Sequence, residues 1–457
     1  MTTANQELPK VFGVWFKDLQ SWSVNSFFKV GWQWLKEFIQ PLHTALQRKQ
    51  VEINRKESPL ETLQLITLHF DGSIELRNLK GKSEFKGKLF SASPGDVIYS
   101  KIDVRNGAIG VIPDDMPLAA VSSEFPVYAV LPDVALPDYI QLVFRSQQFL
   151  QLINSMISGT SGRKRVQPEQ LEQIEIPLPP IGIQQAIVDR WQTTQEEIKA
   201  ITERIVNQEK ETWLNLQQIL GRERKNILIK PKAFALWWSE IQRWGVDMCW
   251  RERNQPQESQ YPTVKINEIC QIGSGGTPSR KNASYFGGDI PWVKTTEVRN
   301  EMIFRTEESI TKLGLDNSSA KVYPVGSIII AMYGQGATRG RTGKLGIEAA
   351  TNQACAVLTN FSEDVDPDFV WIYLISEYDR LRELASGNNQ PNLNADMIAN
   401  YPIPIPSLDI QKYLVKRVEQ GKKAIFYERA AAERKRQEIE AEIEALILGT
   451  KQIEVAV

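Results

Sequence analysis

The residues best suited to hold a metal ion or to form a nucleophilic catalytic site are scarce in this sequence. Its 457 residues include three cysteines, Cys249, Cys270 and Cys355, and two histidines, His43 and His69. None of the five stands at a C-x-x-C or H-x-x-x-H spacing, the spacings that bring metal ligands together. The sequence therefore predicts neither a structural zinc site nor a disulfide framework, and it leaves few residues for a nucleophile and its base.

Two further segments resemble phosphate-binding or nuclease motifs but lack required residues. Segment 334–344 is rich in glycine, yet Thr338 stands where a P-loop needs its first glycine, and Leu345 stands where it needs serine or threonine. A nuclease site could join Asp138 to the acidic and basic residues of segment 197–199. That segment lies in a predicted helix of alternating charge, which is better explained as a solvated helix face. We therefore expect no catalytic residues in this chain.

Basic residues on glycine-bearing loops indicate nucleic-acid recognition instead. The net charge of −1 argues against a uniformly basic nucleic-acid binder but allows local basic clusters. Glycine beside such clusters lets the backbone approach phosphates and base edges. For each loop taken alone, the alternative is an ordinary solvated turn. The candidate DNA-binding residues are Lys101, Arg105, Arg163, Lys164 and Arg165 in the first half of the chain, and Arg280, Lys281, Lys294, Arg339, Arg341 and Lys344 in the second half.

A long-range internal repeat provides the framework for these loops. Segment 176–184 reads IPLPPIGIQ and segment 403–411 reads IPIPSLDIQ, at an offset of 227 residues. Further matches, such as segment 137–140 with segment 367–370, follow in the same order at offsets between 222 and 230 residues. One short match can arise by chance, but an ordered series at a nearly constant offset predicts a tandem duplication.

Each repeat begins with a β-rich part. Short runs of strand-forming residues are broken by glycine, proline and asparagine, as at 96–100 and 327–332. A helix is then predicted at 137–157 and at 367–385, because each segment opens with a Pro-Asp pair suited to a helix N-terminus. The proline-rich segment that follows prevents the strand before it from continuing directly into a helix.

Each repeat ends in a long helix with apolar residues on one face. In the second helix such residues recur every seven positions from Val418 to Leu446, the pattern of a helix that packs on another helix. Gly221 and Gly449 stand where C-terminal caps are expected. We expect the two helices to pair, the alternative being that each packs only on its own domain. The candidate pairing residues are Ile187, Trp191, Ile198, Ile201 and Ile205 in the first helix, and Val418, Ile425, Ile439, Ile443 and Leu446 in the second.

In the order and duplication of these parts, the sequence resembles the specificity subunits of type I restriction-modification systems. Four local phrases add to the resemblance: GRKRV at 162–166, IGSGGTP at 272–278, DIPWV at 289–293 and QPNLN at 390–394. The resemblance implies an α+β fold. Two tandem α/β target recognition domains would be related by pseudo-two-fold symmetry and joined by two long antiparallel helices that form a coiled coil. The expected boundaries are 1–182 for the first recognition domain, 183–235 for the central helix and linker, 236–409 for the second recognition domain and 410–457 for the distal helix.

The resemblance also implies a function and a set of partners. Such a chain is a non-catalytic subunit that reads a bipartite, asymmetric site in double-stranded DNA, with one half-site for each domain. It docks two methyltransferase (modification) subunits and endonuclease–translocase (restriction) subunits. Those partners hold S-adenosylmethionine, ATP and Mg²⁺, and the chain itself holds no cofactor and no metal. A helix of roughly 30–37 residues spans about 45–55 Å, which suits two domains placed about one DNA turn, about 34–36 Å, apart.

Two other classes of protein remain open from the residues alone. One is a non-catalytic scaffold that binds protein partners through two β-rich domains without DNA specificity. The other is a self-sufficient nuclease or methyltransferase, against which the missing motifs speak. No apolar run reaches the length of about 18 residues that a membrane span needs, and the start MTTANQELPK lacks the profile of a signal peptide. We therefore expect a cytoplasmic protein without membrane contact.

Overall fold

A computed structural model of the chain describes residues 31–54, 56–57, 62–77, 87–155, 165–222, 259–334, 337–384 and 392–453. The chain divides into two compact units. Unit 1 comprises Met1–Ile201 and Ala431–Val457, and unit 2 comprises Thr202–Ala430. Among the helices of the described residues, none combines the length and the apolar character that a membrane span requires.

The β-rich part of unit 1, called the first β-rich domain, consists of two four-stranded sheets and a two-stranded ribbon within the described residues. Its strands are β1 (Ile39–Pro41), β2 (Leu46–Lys49), β3 (Gln64–Leu68), β4 (Ile74–Leu76), β5 (Leu89–Ala92), β6 (Val97–Tyr99), β7 (Ile109–Val111), β8 (Ala119–Ser122), β9 (Val127–Val130) and β10 (Glu175–Pro177). The sheet orders are β2-β9-β6-β7 and β4-β3-β8-β5, and β1 pairs with β10.

The second β-rich domain, in unit 2, consists of a five-stranded sheet, a four-stranded sheet and a ribbon in its described part. Its strands are β11 (Thr263–Lys265), β12 (Gln271–Ser274), β13 (Phe286–Val293), β14 (Met302–Ile303), β15 (Glu308–Ile310), β16 (Val322–Tyr323), β17 (Ile328–Ala331), β18 (Thr342–Leu345), β19 (Ala349–Thr351), β20 (Cys355–Thr359) and β21 (Pro402–Pro404). The sheet orders are β12-β20-β17-β18-β14 and β15-β13-β19-β16, and β11 pairs with β21.

The two β-rich domains share one topology. The order β2-β9-β6-β7 corresponds to β12-β20-β17-β18, and in both sheets these neighbours are antiparallel. In the other sheet of each domain the central pair is parallel, β3 with β8 and β13 with β19, and the outer pairs are antiparallel. Strand β14 has no counterpart among the described residues of the first domain. The duplication predicted from the sequence is therefore confirmed in the strand topology.

The helices follow the same duplicated order. They are α1 (Pro137–Arg145), α2 (Gln147–Ser155), α3 (Pro168–Glu172), α4 (Ile181–Ile219), α5 (Ile266–Ile269), α6 (Lys312–Asp316), α7 (Pro367–Ser376), α8 (Tyr378–Leu384), α9 (Ala395–Ala399) and α10 (Leu408–Leu448). Short 3-10 helices occupy Lys36–Phe38, Leu42–Thr44, Val104–Asn106, Ala283–Tyr285 and Thr295–Glu297.

The single helix expected after each Pro-Asp pair is in fact two helices. The break in unit 1 lies at Ser146, whose backbone is extended (φ −62°, ψ 142°). Its hydroxyl accepts a hydrogen bond from the N–H of Phe149, at 3.3 Å, and so caps the start of α2. In unit 2 the break between α7 and α8 lies at Glu377. The Pro-Asp pairs marked only the start of each helix, so the sequence predicted neither break.

A buried glutamine explains where each long helix begins. Gln184 donates to the carbonyls of Val134 (2.9 Å) and Pro179 (2.8 Å) and accepts from the N–H of Leu136 (3.0 Å). Gln411 makes the same three bonds at 2.8–3.0 Å in unit 2. Both side chains are fully buried. Because each amide satisfies three backbone groups of the adjoining loops, it fixes the helix start against its own β-rich domain.

The two long helices run antiparallel to each other within each unit. In unit 1, Arg190 of α4 pairs with Glu442 of α10 at 2.8 Å, and Glu197, further along α4, pairs with Lys435, which is earlier in α10. In unit 2, Gln208 donates to Glu428 at 3.2 Å. Residue numbers therefore rise along α4 as they fall along the contacting part of α10. The predicted antiparallel pairing is confirmed. Gly221 and Gly449 end the helices with φ values of 68° and 81°.

Candidate nucleic-acid interface

Loops that carry basic candidates leave one edge of the five-stranded sheet of unit 2. Strands β12 and β17 end, and β18 and β20 begin, at this edge because neighbouring strands are antiparallel. We call it the loop edge of the second β-rich domain. The residues aligned across the sheet beside it are Ser274, Ala356, Ile330 and Thr342. The loop from β12 to β13 carries Arg280 and Lys281, and the loop from β17 to β18 carries Arg339 and Arg341.

Two of the candidates meet at one carboxylate. The Nη1 of Arg280 lies 2.6 Å from Oε2 of Glu308, and the Nζ of Lys294 lies 3.1 Å from Oε1 of the same group. Lys294 also pairs with Glu307 at 2.8 Å. Hydrogen bonds from Arg280 and Lys294 hold the pKa of Glu308 below its usual value. Hydrogen bonds to Glu307 and Glu308 raise the pKa of Lys294. Lys294, Glu307 and Glu308 are therefore charged at neutral pH.

Aromatic rings fix the other side of Arg280. Its guanidinium carbon lies 4.4 Å from the ring centre of Phe286 and 5.2 Å from that of Trp292. Trp292 is buried, and its indole N–H donates to the carbonyl of Gly276 at 3.0 Å. The first residues of the loop that carries Arg280 are thus attached to the sheet. Lys281, the next residue, is exposed.

The loop that carries Arg339 and Arg341 rests on α8. The hydroxyl of Tyr378 donates to the carbonyl of Ala337 at 2.8 Å, and Arg382 donates to that hydroxyl at 2.7 Å. Both Arg339 and Arg341 are half-buried. The helix therefore supports the turn that carries the two arginines.

Lys344 is placed differently from the loop position that its glycine-rich context suggested. It lies within β18, two residues after Thr342, and its ammonium group pairs with Asp368. Its side chain is 12% exposed. The segment after Gly340 pairs with β17 as a strand, and this pairing carries Lys344 away from the loop edge. We therefore leave Lys344 out of the set of DNA contacts proposed below.

The first β-rich domain has a corresponding loop edge. It is formed where β2 and β6 end and β7 and β9 begin. Lys101 follows β6, and its Nζ donates to the carbonyl of Ser123 at 2.9 Å. Arg165 pairs with Glu124 at 3.3 Å, and Arg105 is exposed in the adjacent 3-10 helix. Arg163 and Lys164 lie outside the described residues.

A half-buried arginine, Arg145, supports this edge in unit 1. The guanidinium of Arg145, on α1, donates to the carbonyls of Phe70 (3.3 Å) and Gly107 (3.0 Å) and also to that of Ile109. It therefore ties the turn between β3 and β4 to the turn that carries Arg105. Sequence reasoning missed Arg145 because it lies at the end of a helix, with no glycine-rich context to indicate contact with a loop.

Most of the candidate pairing residues on α4 and α10 are buried. In unit 1, Ile187, Ile198, Ile439, Ile443 and Leu446 are buried in one cluster. Trp191 packs against that cluster and is half-buried, as is Ile201. In unit 2, Ile205, Val418 and Ile425 are buried.

The two cysteines of the described residues, Cys270 and Cys355, are buried and form no disulfide. Burial raises the pKa of the Cys270 thiol to about 12, and burial together with the nearby Glu297 raises that of Cys355 further. Neither thiol is therefore a ready nucleophile at neutral pH. Within the part of the chain that the structure describes, no group of three or more His, Cys, Asp and Glu side chains is arranged to hold a metal ion.

Glu308 is the other residue that sequence reasoning missed. The sequence signal was weak, because Glu308 stands 28 residues after Arg280 and 14 residues after Lys294. Only the pairing of β13 with β15 brings them together. The pairing of a candidate arginine with an acidic neighbour is thus a property of the fold.

A family match covers most of the chain. Residues 81–209 and 258–440 match the sequence pattern of the type I restriction modification DNA specificity domain. The HindI type I restriction enzyme specificity subunit of Haemophilus influenzae is 21% identical over 374 residues, which are 71% of this chain and 79% of that protein. The MjaIX specificity subunit of Methanocaldococcus jannaschii is 29% identical over 161 residues, 33% of this chain and 35% of that protein.

A solved structure shares the fold. It comes from work on complex assembly and conformational transition of the type I R-M system, and it aligns with a TM-score of 0.58 at 15% identity. The alignment covers 91% of this chain and 96% of the other. The two proteins therefore share their fold over almost the whole length of both chains.

Proposed function

This chain belongs to the family of type I restriction-modification DNA specificity subunits, and from that membership we propose that it reads a bipartite, asymmetric site in double-stranded DNA. Each β-rich domain is a recognition domain for one half-site. The observation that carries this proposal is the repeated topology with different loops. Both domains hold basic residues at the same sheet edge, but the residues and their partners differ. Two different readers built on one framework would select two different half-sites, whereas identical readers would select a palindrome.

The loop edges are the proposed DNA-contacting surfaces. In the first domain the contacts are Lys101, Arg105 and Arg165, together with Arg163 and Lys164, which lie outside the described residues. In the second domain they are Arg280, Lys281, Lys294, Arg339 and Arg341. Basic side chains on loops supported by a rigid sheet suit both phosphate contact and base-edge contact.

We propose that the paired helices dock two methyltransferase subunits, and that endonuclease–translocase subunits join through them. In unit 2, large apolar side chains on α4 and α10 are exposed, and apolar surface that is exposed as a contiguous patch marks protein interfaces. The exposed side chains are Val206, Leu214, Tyr413, Phe426 and Tyr427. We assign catalysis, S-adenosylmethionine, ATP and Mg²⁺ to these partners. The chain itself would be non-catalytic and would act in the cytoplasm, where DNA is accessible.

A domain replacement tests the bipartite reading. Residues 240–409 are exchanged for the corresponding domain of a homologous subunit, and the variant is expressed with its methyltransferase subunits. Methylation-aware sequencing of the host genome should show one half of the methylated motif changed and the other half retained. A change in both halves, or in neither, would contradict the assignment of one half-site to each domain. A scaffold without DNA specificity predicts no dependence of the motif on this chain at all.

A further inference from the structure

Arg280 differs from the other candidate DNA contacts because its guanidinium group is held on three sides. Glu308 accepts from Nη1 at 2.6 Å, and the rings of Phe286 and Trp292 lie 4.4 and 5.2 Å from the guanidinium carbon. The two rings meet edge to face, with centres 6.0 Å apart and an angle of 73° between them. A long side chain normally loses considerable rotational entropy when it binds. Here much of that entropy is lost already in the free protein.

The backbone on both sides of Arg280 is fixed as well. Before it, the N–H of Gly276 donates to the carbonyl of Thr351 at 2.8 Å. After it, the side chain of Asn282 accepts from the N–H of Ser284 at 3.2 Å, and the hydroxyl of Thr311 donates to the carbonyl of Ser284 at 2.8 Å. The Arg280 side chain nevertheless remains 55% exposed. The guanidinium group is therefore oriented and still accessible to a ligand.

The charges around Arg280 favour a base over a phosphate as that ligand. Glu308 is ionised beside it, and Glu307 lies on the other side of Lys294. A phosphate at this guanidinium would gain less than at an unpaired arginine, because Glu308 already neutralises the charge of Arg280. A base edge carries no net charge and is less affected by this neutralisation. Glu308 engages one of the two terminal nitrogens of the guanidinium, which leaves N–H groups on the remaining nitrogens for two acceptors.

We propose that Arg280 is a specificity-determining residue that recognises a guanine in one half-site, and that Glu308 is its positioning residue. This inference rests on the proposed function and adds the base class to it. Guanine presents two acceptors, O6 and N7, in the major groove, and an arginine binds both at once. Adenine places a donor where guanine has O6, so the same guanidinium geometry discriminates against it.

The first β-rich domain supports this assignment by contrast. Strands β3 and β4 of unit 1 correspond to β13 and β15, and on that hairpin Nε2 of His69 lies 3.4 Å from Oε2 of Glu75. The arginine held by a carboxylate and two rings is thus a feature of the second domain among the described residues. The framework that the two domains share does not require this arrangement. It is therefore a feature by which the two domains can prefer different half-sites.

The experiment compares four single variants of the full chain, each expressed with its methyltransferase subunits. Arg280→Lys keeps the charge but removes the bidentate geometry, and Arg280→Ala removes both. Glu308→Gln keeps the shape of the positioning residue without its charge. Lys281→Ala is the matched control, because it removes the adjacent exposed cation. The readouts are the methylated motif from genome sequencing and the affinity of the purified complex for duplexes with single base-pair changes.

We expect Arg280→Lys and Arg280→Ala to reduce discrimination at a single G·C position by about 10-fold to 100-fold. Glu308→Gln should reduce it at the same position by about 3-fold to 10-fold, because a charge-assisted contact that orients the arginine is lost. Lys281→Ala should weaken binding to all duplexes alike and leave the motif unchanged. A merely structural role would lower binding at every position without selectivity.

Three results would overturn the inference. They are an unchanged motif in both Arg280 variants, an equal loss at all positions, or relaxation at a position that is not G·C. Each of these leaves the bipartite motif of the unmodified chain intact, so the proposed function would survive. Loss of that function would appear separately, as an unmodified chain that directs no bipartite methylation.

Discussion

A fully buried carboxylate joins several elements of unit 2. Glu377, at the break between α7 and α8, binds Arg380 at 2.7 Å and accepts from the hydroxyl of Tyr401 at 2.6 Å. Arg222, just after α4, lies 3.7 Å from it, and Gln217 of α4 donates to it at 2.9 Å. Burial opposes its ionisation, but the two guanidinium groups and the hydroxyl outweigh burial and lower its pKa. The group therefore remains charged where a lone carboxylate would be neutral.

Replacing Glu377 should be among the most destabilising single changes in unit 2. In Glu377→Gln the shape is kept, but two largely buried guanidinium groups lose their counter-charge. Removing one partner of such a buried ion pair lowers the free energy of unfolding by about 3–5 kcal/mol. Urea-induced unfolding at pH 7 measures the difference. The control is Glu203→Gln on the exposed face of α4, which should change the free energy of unfolding by less than about 0.5 kcal/mol.

The stability lost in Glu377→Gln should also depend on pH. Because the folded pKa lies below the unfolded value, the carboxylate stabilises the fold above the unfolded pKa, and this contribution disappears as the pH falls through the folded pKa. The difference between the two proteins should therefore shrink on acidification. A difference that stayed constant, or grew, between pH 7 and pH 3 would show that Glu377 does not act through its charge.

At this scale the sequence indicated residue types well and residue partners poorly. Arg280 and Lys294 were identified as candidate DNA contacts, but the carboxylate that they share lies on another strand. Lys344 had the same local context as Arg341, and strand pairing separated the two. Local composition cannot report which side chains a sheet brings together, because register is set by contacts far apart in the chain.

At the scale of elements, the helix pair is the part that the sequence predicted most directly. Seven-residue recurrence in α10 identified Val418, Ile439 and Leu446, and all three are buried. The pattern succeeds because helix packing depends on which residues share one face, and that face follows from spacing alone. The break at Ser146 was not predicted, because the sequence alone does not show whether a serine hydroxyl caps the start of a new helix or lies within a continuous one.

Close approach of the two long helices depends on one glycine in α10. A Cβ at Gly421 would lie 2.7 Å from Oγ1 of Thr212 and 3.1 Å from its Cγ2, but 3.5 Å from its Cβ. Glycine in a helix interior is otherwise unfavourable by about 1 kcal/mol relative to alanine. The helix therefore tolerates an unfavourable residue because the neighbouring helix occupies the space that a side chain would need.

A double-mutant cycle on this contact should be strongly non-additive. Gly421→Ala alone should destabilise unit 2 by about 1–2 kcal/mol through overpacking. In a Thr212→Ala background the obstructing atoms are gone, and the same change should stabilise by about 0.5–1 kcal/mol through helix propensity. Urea unfolding of the four proteins gives the coupling energy. Additive effects would show that Gly421 is not required by the approach of Thr212.

At the scale of the whole molecule, DNA binding has to come from local charge. With a net charge of −1, the chain provides no strong attraction for DNA as a whole, so affinity must come from a few cations at the loop edges. Arg105 and Lys281 are exposed at these edges, one in each β-rich domain, and neither forms an ion pair with a carboxylate of the described residues. They are therefore the cations best placed to neutralise phosphates.

The salt dependence of DNA binding measures their contribution. Each phosphate neutralised by a cation adds about 0.9 to the slope of log K against log salt concentration. For the complex with its methyltransferase subunits, Arg105→Ala and Lys281→Ala should each reduce the slope by about 0.9, and the double variant by about 1.8. Binding should weaken equally on the target and on unrelated DNA, because phosphates carry no sequence information.

Lys265→Ala is the control. This lysine is exposed on β11, shortly before the start of β12, and β12 begins at the end of the sheet opposite the loop edge. The slope should therefore not change in this variant. An unchanged slope in the first two variants would remove both residues from the phosphate contacts, and a complex whose affinity did not depend on salt at all would favour the scaffold alternative.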